Sequence, residues 1–130
     1  MDGQAARDQR FPVYLVRGLI AQVMENLLTN SAYWVQQSLK DGQDQRKIVI
    51  EIDTRAASVT VTDNGPGIEP DYAEAVFKPY FSTRKRGKGL GLYIARELVE
   101  YHGGKLYLDA SGEDDGRLRT FVLELPKEPR

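Results

Sequence analysis

Cysteine is absent from the 130 residues, and histidine and tryptophan occur once each. Disulfides and thiolate zinc sites are therefore excluded. A nucleophilic triad has one imidazole to draw on, and no serine sits in a nucleophile motif. A chain without cysteine is compatible with a reducing cytoplasm. An excess of one charge is also missing: 18 Lys and Arg face 19 Asp and Glu, for a net charge of −1. The whole-molecule field thus argues for neither nucleic acid nor an anionic membrane. No apolar run approaches the roughly 18 residues of a spanning helix. Residues 1–10 are polar, lack a signal-peptide core and are expected to form a flexible tail before one domain at 11–130. A chain of this length buries roughly two-thirds of its unfolded surface on folding. Its 41% apolar and 28% charged residues are ordinary globular usage.

Periodicity divides the domain into elements. Residues 11–16 are apolar and β-prone, a short strand with Pro12 marking an edge. Residues 18–39 place Leu19, Val23, Leu27, Leu28, Val35 and Leu39 on a 3.6-residue period, a long helix stopped by Asp41-Gly42. Residues 47–53 alternate through Ile48, Ile50 and Ile52, a strand with one buried face. Residues 57–63 alternate through Val59 and Val61 and form a hairpin with it. Residues 70–77 make a short helix at most, and 83–88 a basic, glycine-bounded loop expected to be mobile. Residues 89–102 form an amphipathic helix with Leu92, Ala95, Leu98 and Val99 inward, ended by Gly103-Gly104. Residues 105–109 and 118–125 alternate as paired strands around an acidic loop at 111–116. The expected class is α+β, a mixed sheet with helices on one face.

Several polar groupings stand out from this frame. Asn26, Asn30, Tyr33 and Gln37 fall at i, i+4, i+7 and i+11, one stripe of the first helix. Asparagine in a helix interior costs roughly 0.5 kcal/mol against alanine, because its amide competes for backbone groups. A hydrogen-bonded helix face is the ordinary explanation. An amide oxygen is also a good hard-cation ligand, and magnesium takes few protein ligands alongside phosphate oxygens. Asp63 precedes Asn64-Gly65-Pro66-Gly67. Turn dipeptides account for that run; a calcium loop does not, because Gly65 occupies the third ligand position. The turn also lets backbone approach a ligand while Asp63 accepts from an exocyclic amine.

Gly87-Lys88-Gly89-Leu90-Gly91 opens a helix, where free N–H groups bind phosphate. It is not a dinucleotide fingerprint, which needs a preceding strand and a later acidic residue, nor a Walker loop, which needs Gly-Lys-Ser/Thr. A hinge before a helix is the ordinary alternative. Arg84, Lys85, Arg86 and Lys88 form the basic cluster. It lacks the interleaved aromatics of a nucleic-acid site; beside a phosphate it would give charge-assisted contacts. His102 fits a helix C-terminal cap.

Taken in order, Glu25-Asn26-Leu27-Leu28-Thr29-Asn30-Ser31-Ala32, residues 63–67, Phe77-Lys78-Pro79-Tyr80-Phe81 and residues 87–91 resemble the asparagine, first glycine, phenylalanine and second glycine boxes of the catalytic, ATP-binding domain of sensor histidine kinases. Tyr101-His102-Gly103-Gly104 and residues 121–126 extend the resemblance, which spans about 19–126. Type II topoisomerases, Hsp90 chaperones and MutL proteins belong to the same superfamily. The resemblance implies a Bergerat fold, an α/β sandwich whose mixed, mostly antiparallel sheet is covered on one face by helices. It implies binding of ATP with Mg2+, transfer of the γ-phosphoryl group to a histidine on a separate dimerisation domain and, through that domain, a response regulator as partner. Asp63 would meet the adenine amino group, with Gly65, Gly67 and Ile68 beside it and Trp34 packing nearby. Asn30 and Asn26 would hold magnesium. Phe77 belongs to the nucleotide-contacting set, Thr83 and Arg84 to the lid. Gly87, Lys88, Gly89, Leu90, Gly91 and Leu92 would surround the phosphates. Asn26, Asn30 and Arg84 are the implied catalytic group.

Hydrolysing members of the superfamily carry Glu where Asn26 stands, as the base for water, so Asn26 favours transfer. Glu25 lies about 100° around the helix and is expected to point elsewhere. Tyr33 stands where many kinases place a cation, Ser31 replaces the commoner Ala, and Lys88 replaces a frequent Thr. The acceptor domain is expected outside this segment. The segment itself is expected to be cytoplasmic and monomeric, with no nucleic-acid or membrane contact. An ATPase or ATP-driven switch of the same superfamily, and a degenerate nucleotide-binding interaction module, are the alternatives.

Overall fold

A computed structural model describes residues 17–38, 47–81, 90–111 and 115–126. The strand expected at 11–16 and the basic loop at 83–88 lie outside the described residues. The first described element is helix α1 (Arg17–Ser38). Its inward stripe follows the 3.6-residue period, with Val23, Leu27 and Val35 buried and Met24 and Leu28 packed beside them. Strands β1 (Ile48–Asp53) and β2 (Ser58–Asp63) form the expected hairpin. Asp53 Oδ1 accepts from the backbone N–H groups of Arg55 and Ala56 and so shapes the turn between them.

Two 3-10 turns, Pro70–Tyr72 and Ala75–Phe77, replace the short helix expected at 70–77. The second points Val76 and Phe77 into the core, where Phe77 meets Phe121 edge-on at 6.0 Å. Helix α2 (Gly91–Tyr101) buries Ala95 and Val99. It stops where Gly103 adopts φ 89°, with Gly103 N–H donating to Glu100 O and Gly104 N–H to Val99 O. This is the double bond of a Schellman cap, and His102 occupies the cap position. A Cβ at Gly104 would lie 2.5 Å from Glu124 O, so only glycine fits there.

Strands β3 (Lys105–Leu108) and β4 (Thr120–Glu124) complete a four-stranded sheet of order β1-β2-β4-β3. All three pairings among the described strands are antiparallel. Period-two alternation sends Val59 and Val61, Leu106 and Leu108, and Phe121 and Leu123 to the helical side. Each such side chain stabilises the fold by roughly 1.5–3 kcal/mol. Arg96 of α2 ties the second 3-10 turn to the helix layer. Its guanidinium lies 4.0 Å from the Phe77 ring centre and donates to both Glu74 carboxylate oxygens, at 2.8 and 3.0 Å, and to Leu106 O.

β1 departs from expectation. Its register puts Ile50 opposite Val61 and Ile52 opposite Val59, on the core-side face, yet they are 45% and 65% exposed. β1 is the sheet edge among the described strands, and α1 packs chiefly over β2. The alternation is correct; the covering layer stops short of it.

Candidate functional site

A cavity of about 620 Å³ opens between α1, the loop after β2, the 3-10 turns, the start of α2 and the segment leading into β4. From α1 it takes Asn26, Asn30 and Trp34, the expected stripe and its neighbouring aromatic. Asp63, Gly67 and Ile68 come from the β2 end, and Gly91 and Leu92 from the α2 start. Gly65, Phe77 and Leu90 do not line it. Gly65 is packed behind, where a Cβ would sit 2.9 Å from Asp63 Oδ1 and 3.0 Å from Trp34 Cβ. Phe77 belongs to the core. Thr83, Arg84, Gly87, Lys88 and Gly89 lie outside the described residues.

Asp63 is 8% exposed, and its Oδ1 accepts from Gly65 N–H at 2.8 Å. That bond closes a turn which aims the last residue of β2 at the cavity. Asn30 is 9% exposed, and its amide has no hydrogen-bond partner among the described residues. It stands on the cavity wall, where an amide without a protein partner is suited to a ligand. Asn26 Nδ2 donates to Gly91 O at 3.0 Å, joining the asparagine helix to the start of α2. The hydrogen-bonded helix face is thus part of its role, and that bond uses the amide nitrogen, not the oxygen.

Glu25 also lines the cavity, against the expectation that it points away. Glu25 is exposed, and a turn of about 100° from Asn26 still leaves it at the cavity edge. Sequence reasoning also missed Thr29, Tyr72, Phe81, Leu118 and Phe121 as wall residues.

Most of all it missed Arg117 and Arg119. They flank buried Leu118 at a spacing of two, so both guanidiniums share a face. That spacing before a strand was the available signal. Asp115 receives both Arg119 terminal nitrogens, at 3.1 and 2.7 Å, and Arg117 N–H at 2.9 Å. The Arg119 guanidinium, then the Arg117 N–H, hold the Asp115 carboxyl well below the usual carboxylate range. In the same way Arg96 holds the Glu74 carboxyl below its ordinary value.

Residues 16–129 match the family described as histidine kinase-, DNA gyrase B-, and HSP90-like ATPase. Sensor histidine kinase ZraS of Salmonella typhimurium is 34% identical over 107 residues, covering 82% of this chain and 22% of that protein. C4-dicarboxylate transport sensor protein DctS of Rhodobacter capsulatus is 36% identical over 112 residues, covering 85% of this chain and 16% of that protein. The chain therefore spans about a fifth of the length of such relatives. Among solved structures, the mycobacterial sensor histidine kinase MprB superposes with a TM-score of 0.70 at 27% identity, over 91% of this chain and 76% of that one. The catalytic domain of histidine kinase ThkA gives 0.68 at 31% identity, over 90% and 73%. Among the described residues no helix is long and apolar enough to cross a membrane. A cavity walled by the asparagine and first glycine boxes, in an antiparallel sheet layered with helices, agrees with these matches, and the chain belongs to the histidine kinase-, DNA gyrase B- and HSP90-like ATPase family as an ATP-binding domain of the sensor histidine kinase type.

Proposed function

We propose that the cavity binds ATP together with Mg2+, and that the domain supplies its γ-phosphoryl group to a histidine on a separate dimerisation domain, from which a response regulator draws it. The carrying observation is that Asp63 and Asn30, from two different elements, are both buried and both line one cavity. Asp63 accepts from the adenine amino group, held in aim by the Gly65 N–H on its Oδ1. Gly67 and Ile68 supply backbone beside the base, and Trp34 an aromatic wall. Asn30, whose amide has no partner among the described residues, offers a hard oxygen at the triphosphate side, and Asn26 offers a second. This donor set fits magnesium, which keeps most of its shell as water and phosphate oxygen. When bound, the ion neutralises charge on the transferring phosphoryl group.

No Cβ contact is found within 4 Å at Gly91, so the α2 start is open to a close ligand. Residues 83–90 would complete the phosphate side, with Thr83, Arg84 and Lys88 as polar contacts and Gly87, Gly89 and Leu90 as backbone donors. Catalysis on this reading is positioning and electrostatics, with no covalent step on the protein. The test is Asp63→Asn, which keeps shape and removes the acceptor charge. ATP affinity is expected to fall about tenfold to a hundredfold, the range for a hydrogen bond to a charged group. Unchanged affinity contradicts the assignment.

Glu25 at the cavity wall favours a second reading, hydrolysis with Glu25 as the base for water. Steady phosphate release by the wild-type domain that Glu25→Gln abolishes would select it. Release that is negligible or indifferent to Glu25→Gln leaves phosphoryl transfer.

A further inference from the structure

The turn that carries the adenine-reading carboxylate is held by two arginines that also line the cavity. Arg119 Nε donates to Gly65 O at 2.8 Å, and its Nη2 to Pro66 O at 3.2 Å. Arg117 Nε donates to Pro66 O at 2.6 Å, and its Nη2 to Gly67 O at 3.0 Å. Three consecutive carbonyls thus end on two guanidiniums. Gly67 has φ 81°, and a Cβ there would lie 2.7 Å from Arg117 Cβ and 3.1 Å from Arg119 Cζ. The glycine therefore serves the arginines as well as the turn. A pair of backbone bonds between Ile68 and Leu118, at 2.9 and 2.8 Å, fixes the register of the two segments. On the far side, Asp115 clamps Arg119 and Glu69 lies 3.5 Å from Arg117.

From this geometry we infer that Arg117 and Arg119 are positioning residues that set the adenine selectivity of the site. The inference rests on the nucleotide reading above. Gly65 is the link. Its N–H holds Asp63 Oδ1, and its carbonyl is held by Arg119. Fixing the peptide planes on both sides of Gly65 removes the freedom by which the Asp63 carboxylate would swing. A fixed carboxylate accepts from a 6-amino group and repels a 6-oxo group; a loose one turns aside and discriminates poorly. The forked, charge-assisted geometry needs arginine, because a lysine ammonium is a point donor.

The experiment measures the dissociation constants of ATP and inosine triphosphate for the wild-type domain, Arg119→Lys, Arg119→Ala and Asp115→Asn, with a thermal melt of each. Arg119→Lys keeps the positive charge, so a general loss of attraction for phosphate is controlled. Wild-type protein is expected to prefer ATP by about tenfold or more, as sites with buried polar readers do. Arg119→Lys and Arg119→Ala should lose most of that ratio. Asp115→Asn, outside the cavity, should lose a smaller part by releasing one side of Arg119. If Arg119→Ala does not fold, Arg119→Lys and Asp115→Asn decide the matter. A folded Arg119→Lys that keeps the wild-type ratio overturns the inference, even if its melting temperature falls. Wild-type protein that binds neither nucleotide overturns the nucleotide reading itself.

Discussion

β1 and β4 carry almost the same apolar alternation and meet opposite surroundings. In β4, Phe121 and Leu123 are buried in the core, and Phe121 also lines the cavity. In β1, Ile50 and Ile52 face the same side of the sheet and remain largely exposed. Period two assigns residues to faces and says nothing about which strand a helix covers. The best-packed part of the sheet is also the part that walls the site. The edge is free of that duty, and its side chains are expected to matter little to the fold.

The sharpest way to break the contrast is Phe121→Ala. It removes a ring that packs edge-on against Phe77, and unfolding free energy should drop by about 3–5 kcal/mol in a denaturant titration. A drop below about 1 kcal/mol would mean the centre of the sheet is no better packed than its edge. Ser31 offers a gain instead of a loss. It is fully buried, and its hydroxyl is the one buried side-chain polar atom without a partner among the described residues. Ser31→Ala should stabilise by about 1 kcal/mol, because a desolvated, unpaired hydroxyl costs at least that much.

Acid separates the arginine-held loops from the apolar centre. Glu74 and Asp115 have folded values below their ordinary 4.5 and 3.8. A lowered folded value adds stability that is present above the unfolded value and is lost as pH falls through the folded one. Thermal midpoints should therefore decline below about pH 4.5, and the decline should be shallower in Glu74→Gln. The smallest expected effect is at the edge: Ile52→Thr should change stability by less than about 0.5 kcal/mol. A loss above about 2 kcal/mol would show that Ile52 is covered in solution.

Much of this was legible in the residues. α1, α2 and the β1–β2 hairpin follow from spacing, because periodicity reports local geometry directly. Asn26, Asn30, Trp34 and Asp63 come together because helix turns and a strand end fix their directions. Arg117 and Arg119 were legible only as a pair on one face, and what they hold was not. Their partners, the carbonyls of residues 65–67, lie about fifty residues away, and backbone acceptors leave no mark in a sequence. Glu25 was misread because helical angle was treated as decisive for a long side chain at a wide opening. The exposure of Ile52 was hidden for the same reason as the arginine clamp: tertiary coverage is not a local property.

The central claim is a nucleotide site, and calorimetric titration of the domain with ATP, with and without Mg2+, addresses it most directly. Saturable binding that magnesium strengthens is the predicted result. No heat of binding at millimolar ATP, from protein that melts cooperatively, would contradict it and leave a folded module whose boxes no longer hold a nucleotide.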